Sequence, residues 1–265
     1  MTFLSIIAYI AIGSLAGITG GLLGIGGGVI IVPSLLFLFS FLDFPKEHLM
    51  HIAIGTSLAC TTINAFAATY FHNRHKKVDW ITIGKITPGV AIGSILGALI
   101  AIHVSSSLLQ VIFGFFLLGI ALQFTKAKKK EEKKEVAYPG MLVFSTFGSF
   151  ISCLSNLLGI GGGIFMIPLL TLYHFNPRKV IGTSSCLSFL ISFFGTLFFI
   201  YKAYGSNSAS SGYIYFPAFI IIGIFGTCTA FYGVKLAQTI SLSLIRRIFA
   251  ISMLAIGILM ILQEI

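Results

Sequence analysis

Gly24-Ile25-Gly26-Gly27-Gly28-Val29-Ile30-Ile31-Val32-Pro33 returns 135 residues later as Gly159-Ile160-Gly161-Gly162-Gly163-Ile164-Phe165-Met166-Ile167-Pro168. Each consecutive glycine costs a helix interior roughly 1 kcal/mol relative to alanine. Both triplets nevertheless sit inside long apolar runs, where an unsatisfied backbone group is penalised most. Such a break must be held by surrounding protein. Paired Gly/Pro-interrupted hydrophobic segments at matching places in two halves mark the binding site of a membrane carrier, where half-helix N-termini face an anion.

Composition sets the class. The mean hydropathy is +1.02, with 57% hydrophobic and 9% charged residues, which excludes an ordinary soluble fold. Met1-Thr2-Phe3-Leu4-Ser5 carries no Lys or Arg and no small-residue cleavage site follows, so the first apolar run reads as a span, not a removable signal. The net charge of +10 lies in short loops that set orientation, so nucleic acid is not expected as a partner. Cys60, Cys153, Cys186 and Cys228 lack metal or redox spacing and read as small buried hydrophobes.

Apolar segments lie near 3–23, 28–42, 50–71, 80–102 and 107–124, then 138–158, 163–174, 180–201, 213–235 and 243–262. The fold expected is an all-α polytopic membrane protein of about ten transmembrane segments. Residues 1–125 form the first repeat, 126–137 a charged linker, and 138–265 the second repeat. A cytoplasmic linker puts fourteen of the seventeen Lys and Arg residues inside and both termini outside. Five spans is an odd number, so the two five-helix repeats are expected to be inverted, each with its second helix broken by glycine.

The repeat continues past the glycines. Ile54-Gly55-Thr56-Ser57 matches Ile181-Gly182-Thr183-Ser184 at an offset of 127, and Ser107 to Gly114 resembles Ser243 to Ala250. Hydroxyl and N–H donors replace an anion's hydration without adding a fixed charge. The expected substrate-binding set is Gly26, Gly27, Gly28, Thr56 and Ser57 with Gly161, Gly162, Gly163, Thr183 and Ser184. Asn64 and Asn156 have no asparagine counterpart in the other half.

All seven carboxylates lie in loops, at interfaces or at the C-terminus, which leaves no buried acid for a proton relay or cation site. His51 is the best remaining titratable group in a span, and a lone histidine is more often structural. No nucleotide fingerprint, metal cluster or catalytic triad is present. The sequence therefore reads as a non-enzyme without cofactors, with a small anion and the lipid bilayer as partners. It leaves homo-oligomerisation open.

The doubled Gly-x-Gly-Gly-Gly…Pro pattern, followed each time by Gly-Thr-Ser, resembles the sulfite exporter TauE/SafE family over essentially the whole chain. The resemblance implies a bacterial inner-membrane permease moving sulfite or organosulfonates, usually outward. The alternatives are an anion channel or a permease for another small oxyanion or carboxylate.

Overall fold

The computed structural model describes residues 3–42, 44–125, 140–173, 177–204, 213–237 and 242–263. The linker 126–137 lies outside the described residues. Among those described there are ten helices and no strand. They are α1 Phe3–Leu23, α2 Gly28–Phe39, α3 Lys46–Arg74, α4 Trp80–Ala101, α5 Ser106–Thr125, α6 Met141–Leu157, α7 Gly163–Leu172, α8 Pro177–Tyr204, α9 Phe216–Leu236 and α10 Leu242–Leu262.

Six helices are long and apolar enough to cross a bilayer: α1, α3, α4, α5, α8 and α9. The 12 residues of α2 and 10 of α7 reach about 18 and 15 Å at 1.5 Å per residue, half of a hydrocarbon core about 30 Å thick. Large apolar side chains such as Leu4, Ile81, Phe115, Leu142 and Ile251 lie exposed, whereas Thr56, Ser57, Thr61, Asn64, Ser184, Ser188 and Ser192 are buried. An apolar exterior around a hydroxyl-bearing interior suits a lipid solvent.

The two longest helices, α3 and α8, cross at the centre. Leu58 packs at Gly195, Thr62 meets Thr196 and Phe66 meets Phe189, so the pair is antiparallel. Two further pairs are zipped by small residues. On α1, a Cβ at Gly13 would come within 2.8 Å of the Ile222 carbonyl oxygen, and Cβ atoms at Gly17 and Gly21 would run into Gly226 and Ala230 of α9. On α4, Gly89, Gly93 and Gly97 lie in the same way against Ser145, Ser149 and Cys153 of α6. These four-residue steps let backbones approach where dispersion and weak hydrogen bonds drive association.

Most of the pairings repeat under exchange of each helix with the one five places later. The α1–α9 contact corresponds to α6–α4, α3–α9 to α8–α4, and α2–α3 to α7–α8, while α3–α8 and α5–α10 map onto themselves.

Candidate functional site

The glycines stop one helix and start the next. Gly24 N donates to Gly20 O at 2.9 Å, ending α1, and Gly24, Gly26 and Gly27 then hold φ of 70°, 73° and 89°. At the second break Gly159 and Gly162 hold 72° and 73°. This left-handed region costs an L side chain roughly 1–2 kcal/mol. Ile30 N and Ile31 N donate to Gly27 O at 3.0 and 3.1 Å, and Phe165 N and Met166 N donate to Gly162 O at 3.1 and 3.0 Å, so α2 and α7 begin on the glycines.

That geometry leaves buried donors. Gly26, Gly27, Gly28 and Val29 are buried, as are Gly161, Gly162, Gly163 and Ile164. Among the described residues, none of their eight N–H groups donates to a protein acceptor. Buried backbone donors are paired in the great majority of cases, so a cluster of eight at two helix N-termini is an anion-receptive surface.

The two breaks touch each other and share neighbours. A Cβ on Gly28 would lie 2.9 Å from Gly159 O, and one on Gly163 would run into Gly24 O. Cβ atoms on Gly26 and Gly161 would meet Thr61 Cγ2 at 2.5 and 2.7 Å and Ser188 Cβ at 3.6 and 3.1 Å. Thr61 and Ser188 are equivalent positions, each one turn beyond the Thr-Ser pair of its own repeat. Thr61 is fully buried, its Oγ1 has no partner, and that oxygen lies 3.1 Å from the Cβ position of Gly28. Ser188 Oγ donates to Gly24 O at 3.2 Å.

The hydroxyls read from the sequence gather around these breaks and serve as braces. Ser57 Oγ donates to Gly159 O at 2.9 Å and Ser184 Oγ to Gly24 O at 2.9 Å, each crossing to the opposite repeat. Thr56 Oγ1 accepts from Tyr215 N at 2.9 Å and Thr183 Oγ1 from Asp79 N at 3.0 Å, so each fixes the N-cap of a helix in the other half. Gly27 and Gly162 turn their Cα atoms toward packed protein: Ala16 in one case, Ser155 and Ile191 in the other.

Sequence reading missed Thr61 and Ser188 because neither belongs to a matching motif. The available signal was their common offset of 127 on the same helical face as Ser57 and Ser184. It also missed His72, whose Nε2 lies 3.0 Å from Gly21 O, a carbonyl released by the first break. His51 Nε2 lies 3.1 Å from Ala101 O and 3.0 Å from Val104 O. Both are acceptors, so this nitrogen carries the proton and caps the end of α4. Asn156 Nδ2 donates to Ile191 O at 3.0 Å, and Asn64 stands buried against Gly226. The cysteines are free, but Cys228 is exposed and Cys153 only half-buried, which corrects the expectation that all four are buried. Both lie on helices whose outer faces are apolar, so exposure there costs a thiol little. Among the described residues no group of His, Cys, Asp or Glu is arranged to hold a metal ion.

An apolar-surfaced helical bundle with two half-length helices meeting inside it defines a multi-pass membrane protein. Residues 9–260 match the sulfite exporter TauE/SafE family, and the chain belongs to that family of membrane transporters. A probable membrane transporter protein of Haemophilus influenzae is 30% identical over 98% of this chain and 100% of its own length. One from Methanocaldococcus jannaschii is 30% identical over 88% of this chain and 86% of its own. YunE of Bacillus subtilis, also a probable membrane transporter protein, is 30% identical over 73% and 78%. No solved structure matches the chain.

Proposed function

We propose that the protein is a secondary carrier or facilitator that exports small sulfur-containing anions, such as sulfite or organosulfonates, across the bacterial inner membrane. The observation that carries this reading is the set of eight buried, unpaired N–H groups at the facing starts of α2 and α7. They supply hydrogen bonds and positive helix ends, and no Lys, Arg, Asp or Glu whose side chain the structure describes is buried. Such a neutral donor site binds an anion and still releases it.

The inverted-repeat reading is supported by the exchange symmetry of the helix pairings and by the antiparallel run of α3 against α8, its equivalent in the second half. The basic-residue count supports a cytoplasmic linker and outward termini. In this arrangement the breaks are in contact, so an anion reaches the N–H groups as they part. The braces Thr56–Tyr215 and Thr183–Asp79 stand at equivalent places and are suited to yield one at a time.

The test is flux of radiolabelled sulfite from liposomes holding the purified full-length chain. A carrier saturates and is accelerated by sulfite on the opposite side. Linear flux without counter-exchange supports a channel instead, and no flux of any small oxyanion overturns the reading.

A further inference from the structure

The charge available at the breaks selects among anions. The α2 and α7 N-termini each present roughly half a positive charge, about one in total. No Lys or Arg whose side chain the structure describes is buried. The buried histidines already hold backbone carbonyls, His51 at the end of α4 and His72 at Gly21 O. The remaining hydroxyls, Thr61 and Ser188, are neutral, and Ser188 already donates to Gly24 O.

Thr61 is the independent sign that a ligand belongs here. Its neighbours on the central helices, Thr62, Thr69, Ser192 and Thr196, spend their hydroxyls on a carbonyl four residues earlier, at 2.8, 2.6, 2.7 and 2.8 Å. Thr61 does not, although it is fully buried, and its oxygen faces Gly28 at the first residue of α2. The hydroxyl is held toward the break with its donor unspent.

We propose that the site discriminates by charge, accepting singly charged oxyanions and rejecting doubly charged ones of similar size. The inference rests on the anion-site reading above. Two helix ends balance one negative charge, whereas a dianion leaves about one charge uncompensated in a medium where water does not screen it. Hydrogensulfite and sulfonates satisfy the site, and sulfate does not.

The experiment is competition against labelled methanesulfonate on the full chain in nanodiscs, at constant ionic strength. Methanesulfonate and perchlorate carry one charge and sulfate two; perchlorate is tetrahedral like sulfate and separates charge from shape. Sulfate is expected to compete at least about tenfold more weakly than either monoanion. Sulfite is expected to weaken as alkaline pH converts it to the dianion, with methanesulfonate unchanged. Sulfate competing within about threefold of methanesulfonate, or perchlorate as weak as sulfate, overturns charge selection and leaves the anion site standing. Absence of binding by every anion overturns both.

Discussion

Thr61→Val separates stability from ligand binding at a single atom. Valine keeps the shape of threonine and removes only the hydroxyl, which in Thr61 is buried and unpaired. A buried polar group without a partner costs about 1–3 kcal/mol, so the ligand-free variant gains stability. In a chain of this size each kcal/mol raises Tm by about 2–4 °C. The bound state responds in the opposite direction. A hydrogen bond to a charged ligand is worth about 1.5–3 kcal/mol, so methanesulfonate affinity falls about 10- to 100-fold. Thermal unfolding in nanodiscs without anion, followed by equilibrium binding, measures both quantities on one preparation. Thr61→Ser is the control: it keeps the hydroxyl and loses the methyl that packs on Gly26 and Gly161. It retains affinity while losing about 1 kcal/mol of stability. A Thr61→Val variant that unfolds earlier and binds as the native chain does would refute the assignment, because its hydroxyl would then be a structural partner.

Three other outcomes follow from the contacts. Ser57→Ala leaves Gly159 O without its cross-repeat donor, a loss of about 1–3 kcal/mol; Ser184→Ala is milder because Ser188 still donates to Gly24 O, and thermal unfolding ranks the two. Gly27→Ala and Gly162→Ala place a methyl against Ala16 and against Ser155 and Ile191 at positive φ, so each loses more than about 1 kcal/mol of stability. The same shift displaces the Gly27 and Gly162 N–H groups, so the folded fraction also loses anion affinity, and native affinity in both folded variants would count against these donors. For orientation, an impermeant thiol reagent added outside a chain with its native cysteines removed should label cysteine at Ser208 and not at Ala127; both positions lie outside the described residues, and the reverse pattern contradicts the inverted arrangement.

Much of the helical layout was readable because length and hydropathy dictate it. The expected starts at 28 and 163 coincide with α2 and α7, since a glycine triplet leaves a helix nowhere else to begin. The expected 50–71 and 180–201 became Lys46–Arg74 and Pro177–Tyr204, because backbone hydrogen bonding continues past the apolar stretch into polar flanks such as His48 and Asn73. The repeated Gly-Thr-Ser located the neighbourhood of the candidate site but not the duty of each hydroxyl. Thr56 and Ser57 look alike in sequence, yet one accepts from a helix cap and the other donates to a carbonyl 102 residues away. For Thr61 the sequence offered only its position, equivalent to Ser188. Its distinction is a missing hydrogen bond, which only three-dimensional neighbours reveal.

The central claim is that one anion sits between the two breaks. A crystal structure of the chain with bound hydrogen selenite, phased so that selenium is located by its anomalous scattering, tests this directly. The expected result is one strong peak within hydrogen-bonding distance of N–H groups from both Gly26–Val29 and Gly161–Ile164 and of Thr61 Oγ1. Saturated binding in solution, with the selenium peak located away from both glycine triplets, would contradict it.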